Sequence, residues 1–232
     1  MPTTENSGSL VVIVTGAGSG IGRAVAMELA RAGHIVYAGM RDLDGRNSRR
    51  AEDLRELASA EDLRLTALEL DVLSEPGCRS AVDAVLAEHG RIDGVVDNAG
   101  MLMTGVAEGF TPDQFLRILD TNAVSWLRVN RAVLPVMRRQ GSGTLAYISS
   151  TSAHIAEPFM ATYIASKAAG EFLEVLGKPQ GKRPRRVVVD AQRKGVEELD
   201  AVRAAKQRTF FHHLGIDDLL TVAVPATFEE RR

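Results

Sequence analysis

A chain of 232 residues with a net charge of −2, 45% hydrophobic and 25% charged, has the makeup of one sizeable globular domain. The near-balanced charge excludes a general pull toward nucleic acid or anionic membrane, so any basic contact has to be local. No apolar stretch approaches the ~20 residues that span a bilayer. The single cysteine, Cys78, excludes an internal disulfide, and the first residues lack the charged and apolar regions of a secretion signal, so a reducing, cytoplasmic setting is expected.

Strand-like and helix-like segments alternate from the start, the pattern of βαβ units on a parallel sheet. Residues 10–16 (LVVIVTG) are a β-branched run that suits a buried strand. Ile21, Val25 and Leu29 then recur at helical spacing until Gly33. A second strand falls at 34–39, an amphipathic helix at 48–60, a third strand at 63–72, and a helix at 78–90 closed by Gly90. Strand four lies at 92–100. One long helix is predicted from Thr111, an N-cap with Pro112 at the first helical position, to Gln140. Strand five lies at 143–150, and a last clear helix runs from Phe159 to Leu176, stopped by Gly177-Lys178-Pro179. Beyond it, 185–190 (RRVVVD) fits a sixth strand and 195–211 a helix. Net charge is −6 before residue 178 and +4 from there on. The division is therefore a catalytic domain over 1–177 and a divergent segment over 178–232, a candidate to complete the sheet and the substrate wall.

The turn TGAGSGIG, Thr15 to Gly22, follows strand one and opens the first helix, the context in which a glycine-rich turn carries meaning. Its glycines stand at 16, 18, 20 and 22, so the literal G-x-G-x-x-G is absent and the usable spacing is Gly16-x3-Gly20-x-Gly22. One glycine permits the tight turn, another lets the backbone approach a pyrophosphate, and a third lets the helix pack closely on the sheet. The helix N-terminus offers free N–H groups and positive potential to the phosphates. Gly16, Ser19, Gly20, Ile21 and Gly22 are the candidate cofactor contacts of this turn.

Tyr163 and Lys167 supply the second constellation. Carbonyl reduction needs a hydride, a proton donor to the developing alkoxide, and hydrogen bonds to that oxygen. A free phenol has a pKa of about 10, and a lysine at i+4 faces the same side of a helix, where its charge favours the phenolate. Such a pair alone occurs on many solvated helices; with the glycine turn, Asn122 and Ser150 it carries weight.

Thr15-Gly16-x3-Gly20-Ile21-Gly22, Asp71-Val72, Asn98-Ala99-Gly100, Asn122, Ser150 and Tyr163-x3-Lys167, in this order over residues 10–177, resemble the short-chain dehydrogenase/reductase family. The resemblance implies an α/β fold: a single doubly wound Rossmann-like domain, a parallel sheet with helices on both faces, here with an atypical C-terminal segment. It implies a nicotinamide dinucleotide across the C-terminal strand edges, with Asp71 and Val72 beside the adenine and Asn98, Ala99 and Gly100 shaping the floor. It implies a homo-oligomer, dimer or tetramer, built through the two long helices. It also implies that Tyr163 is the proton donor, that Lys167 bonds the nicotinamide ribose, that Ser150 steadies the substrate oxygen, and that Asn122 holds a proton-relaying water. Ser149 is the adjacent alternative to Ser150; the latter lies 13 residues before Tyr163 with Pro158 between, and is preferred.

The end of strand two bears on which cofactor is used. An acid there would bond both ribose hydroxyls and repel a 2′-phosphate, whereas an arginine would neutralise that phosphate. By the resemblance Met40 occupies the acidic position and Arg41 follows it, as in members that prefer NADP(H). Asp42 lies near the generic spacing of a ribose-binding acid and is read as a solvated loop charge. NADP(H) is thus favoured over NAD(H).

Other conspicuous residues take ordinary readings. His154, His212 and His213 lack companions at metal-ligand spacing, and no metal is expected. Trp126, Met101 and Met103 read as packing or pocket lining, Arg49-Arg50 and Arg138-Arg139 as solvated helix faces, and 178–186 as an exposed basic linker. The resemblance also implies a Pro-Gly turn after strand six, and none follows RRVVVDAQRKG. The expected function is an NADP(H)-dependent oxidoreductase interconverting a small-molecule ketone or aldehyde and an alcohol, with no membrane or nucleic-acid partner. The alternative is a dinucleotide-binding protein with little or no turnover.

Overall fold

The structure, a computed structural model, describes residues 8–154 and 157–177, with side chains of the last helix as far as residue 170. Val11–Thr15 (β1), Ile35–Met40 (β2), Leu65–Glu69 (β3), Gly94–Asp97 (β4) and Thr144–Tyr147 (β5) pair in parallel, in the order β3-β2-β1-β4-β5. The chain steps outward from β1 to β3, then returns to place β4 on the other side of β1. That reversal opens a crevice at the carboxyl ends of β1 and β4, where open α/β sheets bind their ligands.

The helices are Gly20–Arg31 (α1), Ser48–Ala60 (α2), Glu75–His89 (α3), Pro112–Leu119 (α4), Ser125–Gln140 (α5) and Ala161–Gly177 (α6). β1 is apolar without alternation because both its faces are covered. Val12 and Val14 join Ala26, Met27, Ala30 and Leu54 of α1 and α2 in one core layer. Ile13 and Val95 join Val82, Val85, Val129 and Val133 of α3 and α5 in the other. The doubly wound α/β fold is therefore the one expected. The sixth strand at 185–190 and the helix at 195–211 lie outside the described residues.

Two boundaries differ from the sequence reading. The helix predicted from Cys78 begins at Glu75, where the Ser74 hydroxyl caps it by accepting from Gly77 N at 3.1 Å and Pro76 fills the first turn. The single helix predicted over 111–140 is two helices joined by a π turn at Asp120–Val124. Thr111 does cap α4, in a reciprocal box with Gln114. In the π turn the Thr121 hydroxyl donates to Arg117 O at 2.9 Å and the Ser125 hydroxyl to Thr121 O at 2.7 Å. These hydroxyls occupy carbonyls as the ladder widens, and the extra residue leaves the apolar run unbroken, so periodicity alone could not reveal it.

Candidate active site

The glycine turn is laced to β4 before any ligand is considered. Thr15 Oγ1 accepts from both Asn98 N and Ala99 N at 3.0 Å, and the Asn98 amide donates to Thr15 O at 2.9 Å and Gly16 O at 3.2 Å. Gly16 has a φ of 65°, and a Cβ there would stand 2.8 Å from Ala99 Cα. A Cβ on Gly22 would collide with the Asn98 amide and stand 2.6 Å from Gly16 O. Ser19, the N-cap of α1, makes no side-chain cap bond, and no acid occupies the first turn of the helix. The opening N–H groups of α1 thus retain their positive potential toward the crevice, the cradle a pyrophosphate needs.

A cleft of about 420 Å³ lies over this turn. Gly16, Ser19 and Ile21 line it on the glycine side, and Ile21 is 62% exposed at its mouth. Asp71 and Val72 line it beyond β3, and Asn98, Ala99 and Gly100 beyond β4. Gly20, with a φ of 56°, and Gly22 shape the turn without lining the cleft. The Asp71 carboxylate accepts from Leu73 N at 3.0 Å and so fixes its own turn.

At the end of β2, Met40 and Arg41 line the cleft and Asp42 does not. Asp42 is more than a solvated charge: it has a φ of 56°, and its carboxylate accepts from Arg46 N at 3.0 Å, closing the loop before α2. Arg50, expected on a solvated helix face, lines the cleft with Arg46 and Asn47. Arg117 and Thr121 also line it. For Arg46 and Arg50 a sequence signal was present as the basic density of 41–50; Asn47, Arg117 and Thr121 had none that points to a cleft.

Gly100 joins the cleft to the second constellation. A Cβ there would be 3.1 Å from Asn122 Oδ1 and 3.5 Å from Lys167 Nζ. Asn122 is fully buried: its Oδ1 accepts from Met101 N at 2.7 Å, and its amide donates to Met101 O and to Ser166 Oγ, each at 2.9 Å. Lys167, 4% exposed, donates to Ile148 O at 2.8 Å, with its Nζ 6.0 Å from the Tyr163 ring centroid and 5.6 Å from that of Trp126. Burial pulls its ammonium down to about 8. Ser150 stands two residues past Ile148, its hydroxyl accepting from Ser152 N at 3.2 Å. Asn122, Ser150, Tyr163 and Lys167 do not line the cleft itself.

Trp126 is a packing residue, 1% exposed, tilted against Tyr147 with ring centroids 4.8 Å apart. Asp97, the last residue of β4, is buried, and among the described residues neither carboxylate oxygen has a partner; desolvation holds its carboxyl well above the usual range. Cys78 is buried too, and desolvation pushes its thiol up to about 11, the opposite of a reactive cysteine. Among the described residues no cluster of His, Cys, Asp and Glu could hold a metal, and no helix is long and apolar enough to cross a membrane.

A parallel sheet with a switch-point cleft and an uncapped helix terminus behind a glycine turn defines an α/β protein of the nucleotide-binding class. The short chain dehydrogenase family model matches residues 10–191, running past the composition boundary at 178. A 3-ketodihydrosphingosine reductase from Bacteroides thetaiotaomicron is 32% identical over 161 residues, 69% of this chain and 54% of that protein. The human 17-beta-hydroxysteroid dehydrogenase type 1 is 37% identical over 166 residues, 70% of this chain and 49% of the relative. The crystal structure of a gluconate 5-dehydrogenase from Burkholderia cenocepacia, in complex with NADP and tartrate, superposes with a TM-score of 0.65 at 30% identity, covering 72% of this chain and 63% of that one. The chain belongs to the short-chain dehydrogenase/reductase family, whose members are NAD(P)-dependent oxidoreductases. It spans about half the length of the curated relatives it matches.

Proposed function

We propose that the chain is an NADP(H)-dependent oxidoreductase that interconverts a ketone or aldehyde and an alcohol, with Tyr163 as the acid/base. The observation that carries this reading is the placement of Lys167: its ammonium is buried and bonded to Ile148 O one helical turn from Tyr163, and it lies against Gly100 at the end of the cleft. The glycine cradle fits a dinucleotide, since the lack of side chains at Gly16 and Gly22 lets the turn close onto Asn98 and Ala99 and leaves the first N–H groups of α1 facing the cleft. Gly16, Ser19, Gly20, Ile21 and Gly22 would hold the pyrophosphate, Asp71 and Val72 the adenine end, and Asn98, Ala99 and Gly100 the floor. A bound nicotinamide dinucleotide supplies the hydride.

Tyr163 gives its phenolic proton to the carbonyl oxygen in reduction and takes it back in oxidation, with the Lys167 ammonium one helical turn away. Ser150 donates a hydrogen bond to the same oxygen as charge builds on it. Asn122 pins the Met101 backbone and Ser166, beside Lys167, and so holds the route for proton return. Arg41, lining the cleft where Asp42 does not, supports the NADP(H) preference, as does the NADP bound to the Burkholderia enzyme. Leu116 on α4 and Leu127 on α5, 59% and 43% exposed, support a homo-oligomer built on those helices.

The test is Tyr163→Phe. Turnover of a panel of carbonyl compounds, followed by NADPH absorbance, should fall ~10²–10⁴-fold, the share a general acid supplies, with dinucleotide affinity retained. Undiminished turnover in that variant would remove Tyr163 from the mechanism. The second reading, a dinucleotide-binding protein with little turnover, draws on the lack of a Pro-Gly turn after 185–190; it predicts binding by calorimetry with no reduction across the panel.

A further inference from the structure

Asn47 belongs to no motif, yet its side chain joins two of the arginines that line the cleft. We infer that Asn47 is the positioning residue of an arginine clamp, built from Arg41 and Arg50, that selects a phosphate monoester on the ribose of the bound nucleotide. The inference rests on the reading of this cleft as a dinucleotide site and extends its selectivity beyond Arg41.

Asn47 is 5% exposed and stands at the N-cap of α2, where an asparagine side chain ordinarily bonds the first free N–H groups of its own helix. It makes no such bond. Its carboxamide is turned to the cleft instead: Nδ2 donates to Arg41 O at 2.5 Å, and Oδ1 accepts from an Arg50 guanidinium N–H at 3.0 Å. One rigid, buried group thus fixes the backbone of the first arginine and the head of the second. Gly18, the one glycine of the turn outside the usable spacing, borders this arrangement: a Cβ there would lie in ordinary contact, 3.5 Å from Arg50 Cδ and 3.7 Å from Asn47 Oδ1.

The electrostatics favour an anion between them. Two carboxylates at the ends of β2 and β3 are engaged with backbone N–H groups: Glu69 accepts from Asp42 N and Leu43 N at 2.8 Å, and Asp42 accepts from Arg46 N. Among the described residues none of Arg41, Arg46 and Arg50 takes part in an ion pair, although all three line one cleft. The cleft thus sets these three guanidinium groups against the one carboxylate of Asp71, and a dianionic phosphate accepting bidentate bonds would balance that excess positive charge. Asp71 lines the same cleft, and its carboxylate accepts from Leu73 N of its own turn.

Equilibrium binding of 2′,5′-ADP and 5′-ADP to the full chain separates the possibilities without requiring turnover. The unaltered chain should bind 2′,5′-ADP at least ~10-fold more tightly than 5′-ADP, the worth of one charge-assisted contact. Arg50→Ala should lower affinity for 2′,5′-ADP ~10-fold and leave 5′-ADP unchanged. Asn47→Ala should move the same ratio in the same direction by a smaller factor, with Arg50→Lys intermediate because it keeps the charge and loses the fork. If the unaltered chain does not distinguish the two ligands, both the NADP(H) reading and the clamp fail. If it does, and Arg41→Ala abolishes the preference while Arg50→Ala and Asn47→Ala retain it, the NADP(H) reading stands and the clamp is overturned. Equal loss of both ligands in the Arg50 variant marks a merely structural role and overturns it as well. Arg50 is exposed, so its variants remain informative even if Asn47→Ala fails to fold.

Discussion

β1 is buried at all five positions from Val11 to Thr15, whereas β5, on the other side of β4, alternates exposed and half-buried residues from Thr144 to Tyr147. The two halves of the site inherit that difference. On the β1 side, function is set by backbone approaching backbone: Gly16 against Ala99, Gly22 against Gly16 O, with the Asn98 amide filling the remaining space. On the β5 side it is set by single side chains reaching across: Lys167 to Ile148 O, and Asn122 to Met101 and Ser166. The first half should therefore respond to added volume, through fold and affinity together. The second should respond to lost chemistry with the fold preserved, as Tyr163→Phe tests.

The largest stability effect is expected at Gly22. Gly22→Ala adds only a methyl group, and ordinary overpacking costs ~1–3 kcal/mol. Here the new atom meets a main-chain carbonyl that cannot move without shifting β1, so a loss at or above the top of that range is expected in urea denaturation. Dinucleotide affinity should fall with it. A variant with unaltered stability and affinity would show the cradle to be looser than its geometry, and the contrast between the two halves would dissolve.

Asp97 sharpens the comparison, because it sits on β4 between the halves. It continues the face that carries Val95 and is the register partner of Tyr147 on β5. Its carboxyl has a folded pKa raised by desolvation above the unfolded value of about 3.9. Between those two values the folded state holds a proton that the unfolded state has released, so stability falls as pH rises, by ~1.4 kcal/mol per pH unit within the window. The contribution is complete below the unfolded pKa and lost once the folded pKa is passed. Asp97→Asn removes the titration; its melting temperature should exceed that of the parent at neutral pH, with the gap closing toward pH 4. Parallel pH profiles for the two proteins would show that the carboxyl is solvated.

The smallest effect is expected at Gly170, where α6 crosses Trp126. A Cβ there would stand 2.6 Å from Trp126 Cζ3. Gly170→Ala gains up to ~1 kcal/mol of helix propensity and loses ~1–3 kcal/mol to crowding, leaving a net destabilisation of about 1 kcal/mol. Because Trp126 also lies near Lys167 Nζ, turnover should fall by more than this loss of stability explains. A stabilised variant would mean that Trp126 has space to retreat.

The β1 half was the more legible. Steric need for glycine and a β-branched run are local properties, so Gly16, Gly20 and Gly22 could be read before their neighbours were known, as could the capping of α4 by Thr111. Asn122 was named from the resemblance, yet the π turn that carries it inward was invisible, since one extra residue in a continuing helix changes no periodicity. Arg50 is exposed on α2 as its solvated-face reading has it, and its place in the cleft was invisible for a related reason: only the approach of that helix to Gly18 brings it there. Asn47 was missed because its composition cue, an asparagine before a helix, signals a cap that it does not make.

By itself the sequence determined the parallel α/β class, the family, the glycine cradle and the Tyr163–Lys167 spacing, because strand periodicity, positive φ and i,i+4 geometry depend only on neighbours along the chain. Tertiary structure alone decided that Asp97 is sealed without a partner among the described residues, that Lys167 spends a hydrogen bond on Ile148 O, and that arginines from the end of β2 and from α2 share one cleft. Those facts depend on desolvation and on distances between segments far apart in sequence, and both are set by how the helices pack on the sheet.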